Sequence, residues 1–264
     1  MKLSPLPINI LVLFLQALAF FASWSWSGSD PVLWSIQIRN LSLLFLAGWL
    51  TQFFIRRFIE PTATFRMEHR MITTLILFLL FDPTSPWWYF PLVRIVTEGA
   101  QYLFRAPGGP LFNPAALGTV IVSFFGILPS WWGANQAPRF MILDTDVSIF
   151  AFFTLFIAGY VAYKYKKIPL ILATLLSFIV SFFLCLGENP TPIVIEGTLL
   201  FYLLVMVPEP KTSPVLQKEQ VIYGCIIGVL VSLGLLFHFT ESYLTALLVG
   251  NLYTKRQFLR SLFD

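Results

Sequence analysis

The chain has 264 residues, 57% of them hydrophobic and 11% charged, with 28 phenylalanines, a mean hydropathy of +0.78 and a formal net charge of +4. Soluble domains carry about 25% charged residues, so a cytosolic globular enzyme is excluded. A membrane helix takes about 20 mostly apolar residues, and the whole length reads as one polytopic membrane domain.

In chain order, apolar runs predict spans over 6–25, 33–55, 71–81, 87–104, 112–130, 147–163, 168–186, 192–207, 221–238 and 242–254, divided by Gly, Pro, Asn and charge clusters. Lys2 and the apolar stretch after it resemble a secretory leader, but the loops agree best when this segment is kept as the first crossing. The third, eighth and tenth runs are short, as interrupted helices would be. The fold class expected is an all-α integral membrane protein of about ten transmembrane helices.

Sorting the charges orients it. With both termini in the cytoplasm, 14 of the 17 Lys and Arg fall in inner loops, only Arg139 falls in an outer one, and Arg39 and Arg94 lie within spans. That is the positive-inside pattern of a bacterial inner membrane protein, and it argues against nucleic acid as a partner; the partner implied is the lipid bilayer. Trp24, Trp26, Trp34, Trp87, Trp88, Trp131 and Trp132 all reach the outer interface, where indole rings are favoured; Trp49 does not. Cys185 and Cys225 stand in apolar runs and read as buried small hydrophobes.

Leu80-Phe-Asp-Pro-Thr-Ser-Pro86 follows the third run and Val207-Pro-Glu-Pro-Lys-Thr-Ser-Pro214 follows the eighth, 128 residues later. Five crossings separate them, so the second copy is upside down relative to the first. Two inverted five-helix halves follow, about 1–133 and about 146–264, an arrangement that places binding sites where interrupted helices meet. Two Pro-rich loop tips alike by chance are the alternative.

Candidate chemistry clusters in Arg105-Ala-Pro-Gly-Gly-Pro-Leu-Phe-Asn-Pro-Ala-Ala-Leu-Gly118. Gly108 and Gly109 permit close backbone approach, Asn113 suits a helix N-cap and Pro114 its first position. Such a start is either an ordinary cap or a seat for an acceptor group. Arg94 and Glu98 share a helix face and can pair. Charges at that depth imply an ion or proton path or a hold on a cofactor carbonyl, unless they only satisfy each other. Glu196 in the short eighth run either binds a cation, cycles a proton or sits neutral. His69 and His238 fall on opposite sides and form no metal site. No catalytic triad, phosphate loop or dinucleotide fingerprint is present, so any reductant arrives through a partner.

Met71-Ile-Thr-Thr-Leu-Ile-Leu-Phe-Leu-Leu80, Pro83-Thr-Ser-Pro-Trp-Trp88, Gly108-Gly109 before Phe112-Asn-Pro-Ala-Ala-Leu117, Glu209-Pro-Lys-Thr-Ser-Pro214 and Ile222-Tyr-Gly-Cys-Ile-Ile-Gly-Val-Leu230 occur in that order. Together they resemble the NqrB/RnfD family, the membrane subunits B of sodium-pumping NADH:quinone reductase and D of the Rnf electron-transport complex. The likeness runs from about residue 70 to the closing Leu247-Leu-Val-Gly-Asn-Leu252. It implies a flavin that passes electrons across the membrane, other subunits of a membrane redox complex as partners, and coupling to ion movement. It further implies that Gly108, Gly109, Asn113 and Pro114 shape one helix break, with Thr84, Ser85 and Pro86 completing it, and that Thr212, Ser213 and Pro214 shape its counterpart. The family commonly ties FMN to a threonine in a Ser-Gly-Ala-Thr string. This chain lacks that string, so the flavin expected, FMN or riboflavin, is non-covalent. A small-solute or ion transporter of the same architecture, without a redox centre, and a purely structural subunit are the alternatives.

Overall fold

The computed structural model describes residues 5–60, 67–106, 109–135, 139–142 and 145–256. It is an all-α architecture of membrane type with two small hairpins. Helix α1 is Pro5–Ser27 and α2 is Pro31–Phe54, the latter prolonged by a π-helical turn, Ile55–Ile59. The tight turn between them has a local cause. Asp30 Oδ1 accepts the Val32 N–H at 2.8 Å, and Pro31 needs no such partner. Helices α3 (Met67–Leu80), α4 (Tyr89–Leu103) and α5 (Pro114–Ser123) follow. A two-residue hairpin, β1 (Arg105–Ala106) with β2 (Gly109–Pro110), separates the last two.

After a short turn of helix, α6 (Trp132–Asn135), strands β3 (Arg139–Ile142) and β4 (Thr145–Ser148) pair antiparallel. The chain continues through α7 (Ile149–Lys164), α8 (Ile168–Leu186), α9 (Thr191–Val194) and α10 (Gly197–Phe201), which runs into a π-helical turn, Tyr202–Met206. Helices α11 (Gln217–Leu236) and α12 (Ser242–Thr254) complete the described chain.

Among the described residues, four helical segments are long and apolar enough to cross a bilayer: Leu6–Ser27, Pro31–Ile59, Ile168–Leu186 and Gln217–Leu236. Their outer faces carry Leu13, Phe20, Ile38, Trp49, Leu176 and Leu184, all well exposed, as lipid-facing residues must be.

Packing is orderly. Helix α2 lies on α4 and α4 on α5; likewise α8 lies on α11 and α11 on α12. Helix α1 packs on α3, and α7 on α10 with its π-turn. Between the earlier and the later helices, α1 meets α7 and α5 meets α12, and the short α6 meets α7 and α10. The closest seam is α8 with α11, where Gly224 and Gly228 let the backbones meet. A Cβ at either would press on the Leu170 or Thr174 carbonyl, at 2.8 and 2.5 Å, which is how small residues at i and i+4 pack helices in lipid.

Contacts sort the helix ends. At one end Trp132 Nε1 donates to the Phe78 carbonyl, the Ser130 and Trp131 N–H groups to the Leu80 carbonyl, and Trp131 meets the Tyr243 ring. At the other, Arg105 pairs with Glu60 and Arg256 with Glu219.

The structure departs from the sequence reading in three places. The run 112–130 is helical only over Pro114–Ser123; Gly126 at φ 79° and Pro129 turn the chain although Phe124 and Phe125 keep it apolar. The loop after it contains the β3–β4 hairpin. Cys185 and Cys225 are exposed on the outer faces of α8 and α11 rather than buried.

Candidate functional site

Two buried polar clusters stand out among the described residues. The first sits where α2, α4 and the start of α3 converge. Arg94 and Glu98, one helical turn apart on α4, form the ion pair expected, Nη2 to Oε1 at 2.5 Å, and expose only 1% and 3% of their side chains. Gln52 from α2 donates to the other carboxylate oxygen at 2.9 Å. The guanidinium lies flat against Gly48, where any Cβ would collide with its Nε. Arg94 Nε and Nη1 and Gln52 Oε1 have no hydrogen-bond partner among the described residues. Buried donors are almost always paired, so this cluster retains unused capacity: two donor nitrogens on a cation and one amide acceptor.

The second cluster is a knot around Asn251, fully buried near the end of α12. Its Oδ1 accepts the Asn113 N–H at 2.8 Å, and its Nδ2 donates to the Tyr223 hydroxyl at 2.8 Å and to the Thr212 carbonyl at 3.4 Å. One side chain thereby ties the start of α5, the loop after Met206, and α11. Asn113 spends its own side chain capping α5, accepting the Ala116 N–H at 3.0 Å as its sequence position predicted. The Thr212 hydroxyl donates to Glu209 Oε2 and the Ser213 hydroxyl to the Glu209 carbonyl. Burial holds the Glu209 carboxyl above its usual range, at about 6, against the Thr212 hydrogen bond that pulls it down. Lys167, at the N-cap of α8, clamps the same loop through Nζ to the Pro214 carbonyl (2.6 Å) and the Ser213 carbonyl (3.3 Å); burial lowers its pKa to about 8.

The first Thr-Ser-Pro loop is built on similar lines but open to solvent. Asp82 Oδ1 accepts both the N–H and the hydroxyl of Thr84, while Asn40 on α2 reaches the Pro83 carbonyl at 2.9 Å. Thr84 is exposed and Ser85 half-buried. The sequence-derived residues are thus only partly assembled. Asn113, Pro114, Thr212 and Ser213 come together around Asn251; Arg94 and Glu98 come together with Gln52; Thr84 and Ser85 stay with neither. Gly109 lies in the β1–β2 hairpin at φ 150°, and Gly108 falls outside the described residues. Glu196 is exposed at the joint between α9 and α10, in extended conformation at φ −70° and ψ 142°, close enough to Tyr243 to act on it electrostatically.

The sequence reading did not single out Asn251, Gln52, Asn40, Lys167 or Gly48. An uncharged amide inside an apolar run, such as Asn40, Gln52 or Asn251, was the available signal, because a polar group in hydrocarbon must find a partner.

Compared with known proteins, the chain matches no family model and no curated relative. Its chemistry is therefore read from the two clusters.

Proposed function

We propose that this chain is the membrane-embedded subunit of a flavin-dependent electron-transport complex, built of about ten crossings in two inverted five-helix halves. The observation that carries this reading is the Asn251 knot. The two segments on which the NqrB/RnfD resemblance rests, Phe112-Asn113-Pro114 and Glu209 to Pro214, are remote in sequence and meet there at hydrogen-bond distance. The matched packing of α2 on α4 and α8 on α11, with α1 meeting α7 and α5 meeting α12, is what a two-fold relation between halves requires. In this reading both termini are cytoplasmic, the membrane is a bacterial inner membrane, and other subunits deliver and remove electrons.

The residues present fit a flavin by their donor set at Arg94. A flavin's pyrimidine edge offers carbonyl acceptors and one N–H, and Arg94 Nε, Arg94 Nη1 and Gln52 Oε1 are the complementary groups left open. When bound, the flavin supplies the electron-carrying chemistry, while the protein supplies placement and electrostatics. Arg94 would favour negative charge on that edge, and Glu98 would hold the guanidinium in place. The polar atoms of Asn113, Thr212 and Ser213 are spent within the fold, so their part is to lock the helix starts. Thr84, Ser85 and Gly109 lie outside both clusters and carry no contact in this reading.

A second reading, an ion or small-solute transporter without a redox centre, is favoured by the same charge pair, since ionisable groups at that depth commonly line an ion path. One experiment separates them. Detergent-purified protein expressed with riboflavin available is expected to show flavin absorbance that acid or heat releases into solution. Colourless protein that moves solute in liposomes would establish the transporter instead, and flavin retained on a denaturing gel would overturn non-covalent binding.

A further inference from the structure

An apolar groove of about 440 Å3 runs between α2 and α4 on the side away from the core. Leu43, Leu46, Leu50 and Phe54 form one wall, Pro91 and Ile95 the other. Leu46, Leu50, Phe54 and Ile95 are exposed. The first wall follows helical spacing i, i+3, i+7, i+11, so it extends about 16 Å at 1.5 Å per residue. It then continues past the α-helix. The Phe58 ring stacks on Phe54, centroids 5.6 Å apart and planes 27° apart, inside the π-helical turn that also carries Arg56 and Arg57, both exposed. Arg57, three residues on from Phe54 and exposed, continues this hydrocarbon row at its end.

We propose that this groove binds one acyl chain of an anionic phospholipid whose phosphate rests on Arg57. Volume and charge both select this occupant. The space falls in the range of single-molecule pockets, whereas a partner helix, about 10 Å across, needs a longer seam. Guanidinium forks match phosphate oxygens in paired hydrogen bonds, and anionic headgroups gather basic residues at a bilayer surface. The inference rests on the membrane setting alone and on no redox group.

Native mass spectrometry of the full-length protein, exchanged with phosphatidylglycerol or phosphatidylcholine in mixed micelles, tests it. One phosphatidylglycerol per protein is expected to be retained in preference to phosphatidylcholine. Arg57→Ala is expected to weaken retention about fivefold, from about 1 kcal/mol per basic residue near a charged surface, and Arg57→Lys to keep most of it. Leu50→Trp, at an exposed position, fills the groove and abolishes retention without touching the core. Equal retention of the two lipids, an unaffected Leu50→Trp variant, or competition as effective by palmitate alone or inorganic phosphate alone would overturn the proposal. So would Leu50→Cys crosslinking to a second polypeptide in native membranes.

Discussion

The two buried polar clusters solve the same problem in opposite ways. The groups that Asn251 itself bonds are all neutral, and both ends of the amide are used: one bond accepted, two donated and three segments joined. Around Arg94 the groups are charged, and donors outnumber acceptors, with Nε and Nη1 left over. In hydrocarbon an unmet polar group is costly, so a satisfied neutral knot reads as structure and an unsatisfied charged pair reads as a site kept ready for a partner.

That contrast breaks first at Glu98. Glu98→Leu strands a buried cation and is expected to cost about 3–5 kcal/mol, measured as lost thermal stability in detergent. The double variant Arg94→Met/Glu98→Leu is expected to recover most of this while losing flavin. Recovery with flavin retained would make the pair purely structural.

Asn251→Leu comes next. It leaves the Asn113 N–H without an acceptor, for an expected loss of about 2–3 kcal/mol, and it should not change the absorbance of any flavin that remains bound. Asn251→Asp keeps the acceptor but not the donor, and its stability is expected to fall between that of Asn251→Leu and that of the natural chain. Gly48→Ala is smaller still: the new methyl meets the Arg94 guanidinium, so overpacking of about 1–2 kcal/mol is expected, together with a shift in the flavin spectrum that Asn251 variants lack.

The last effect is one of pH. Glu241, at the start of α12, is buried, and its carboxyl is pushed up from 4.5 to about 8. The folded form thus holds a proton that the unfolded chain has released, and stability from this group falls as pH rises from 4.5 to 8. Glu241→Gln is expected to flatten that part of the profile, raising stability at pH 8 relative to the natural chain and leaving pH 4.5 unchanged.

Much of the helical framework was legible in the amino-acid order because its ends are chemically marked. Asp30-Pro31 starts α2, Asn113-Pro114 starts α5, and Gly187, left-handed at φ 68°, stops α8. The Arg94–Glu98 pair was legible because helical spacing alone brings those residues together. The Asn251 knot was not, since its acceptor bond spans 138 residues and depends on how α5 meets α12. The early end of α5 was hidden by Phe124 and Phe125, which continue the apolar run past the helix. The outward-facing cysteines were hidden because in lipid an apolar residue is as well placed on the outside as in the core.

The opposed orientation of the two halves carries the whole account, and cysteine accessibility tests it directly. In a chain with Cys185 and Cys225 replaced by alanine, Thr84→Cys and Val215→Cys each put one thiol at an exposed position beside a Thr-Ser-Pro loop. A membrane-impermeant maleimide added to intact cells is expected to label the first and to reach the second only after the membrane is opened. Equal labelling of both from outside would contradict the account.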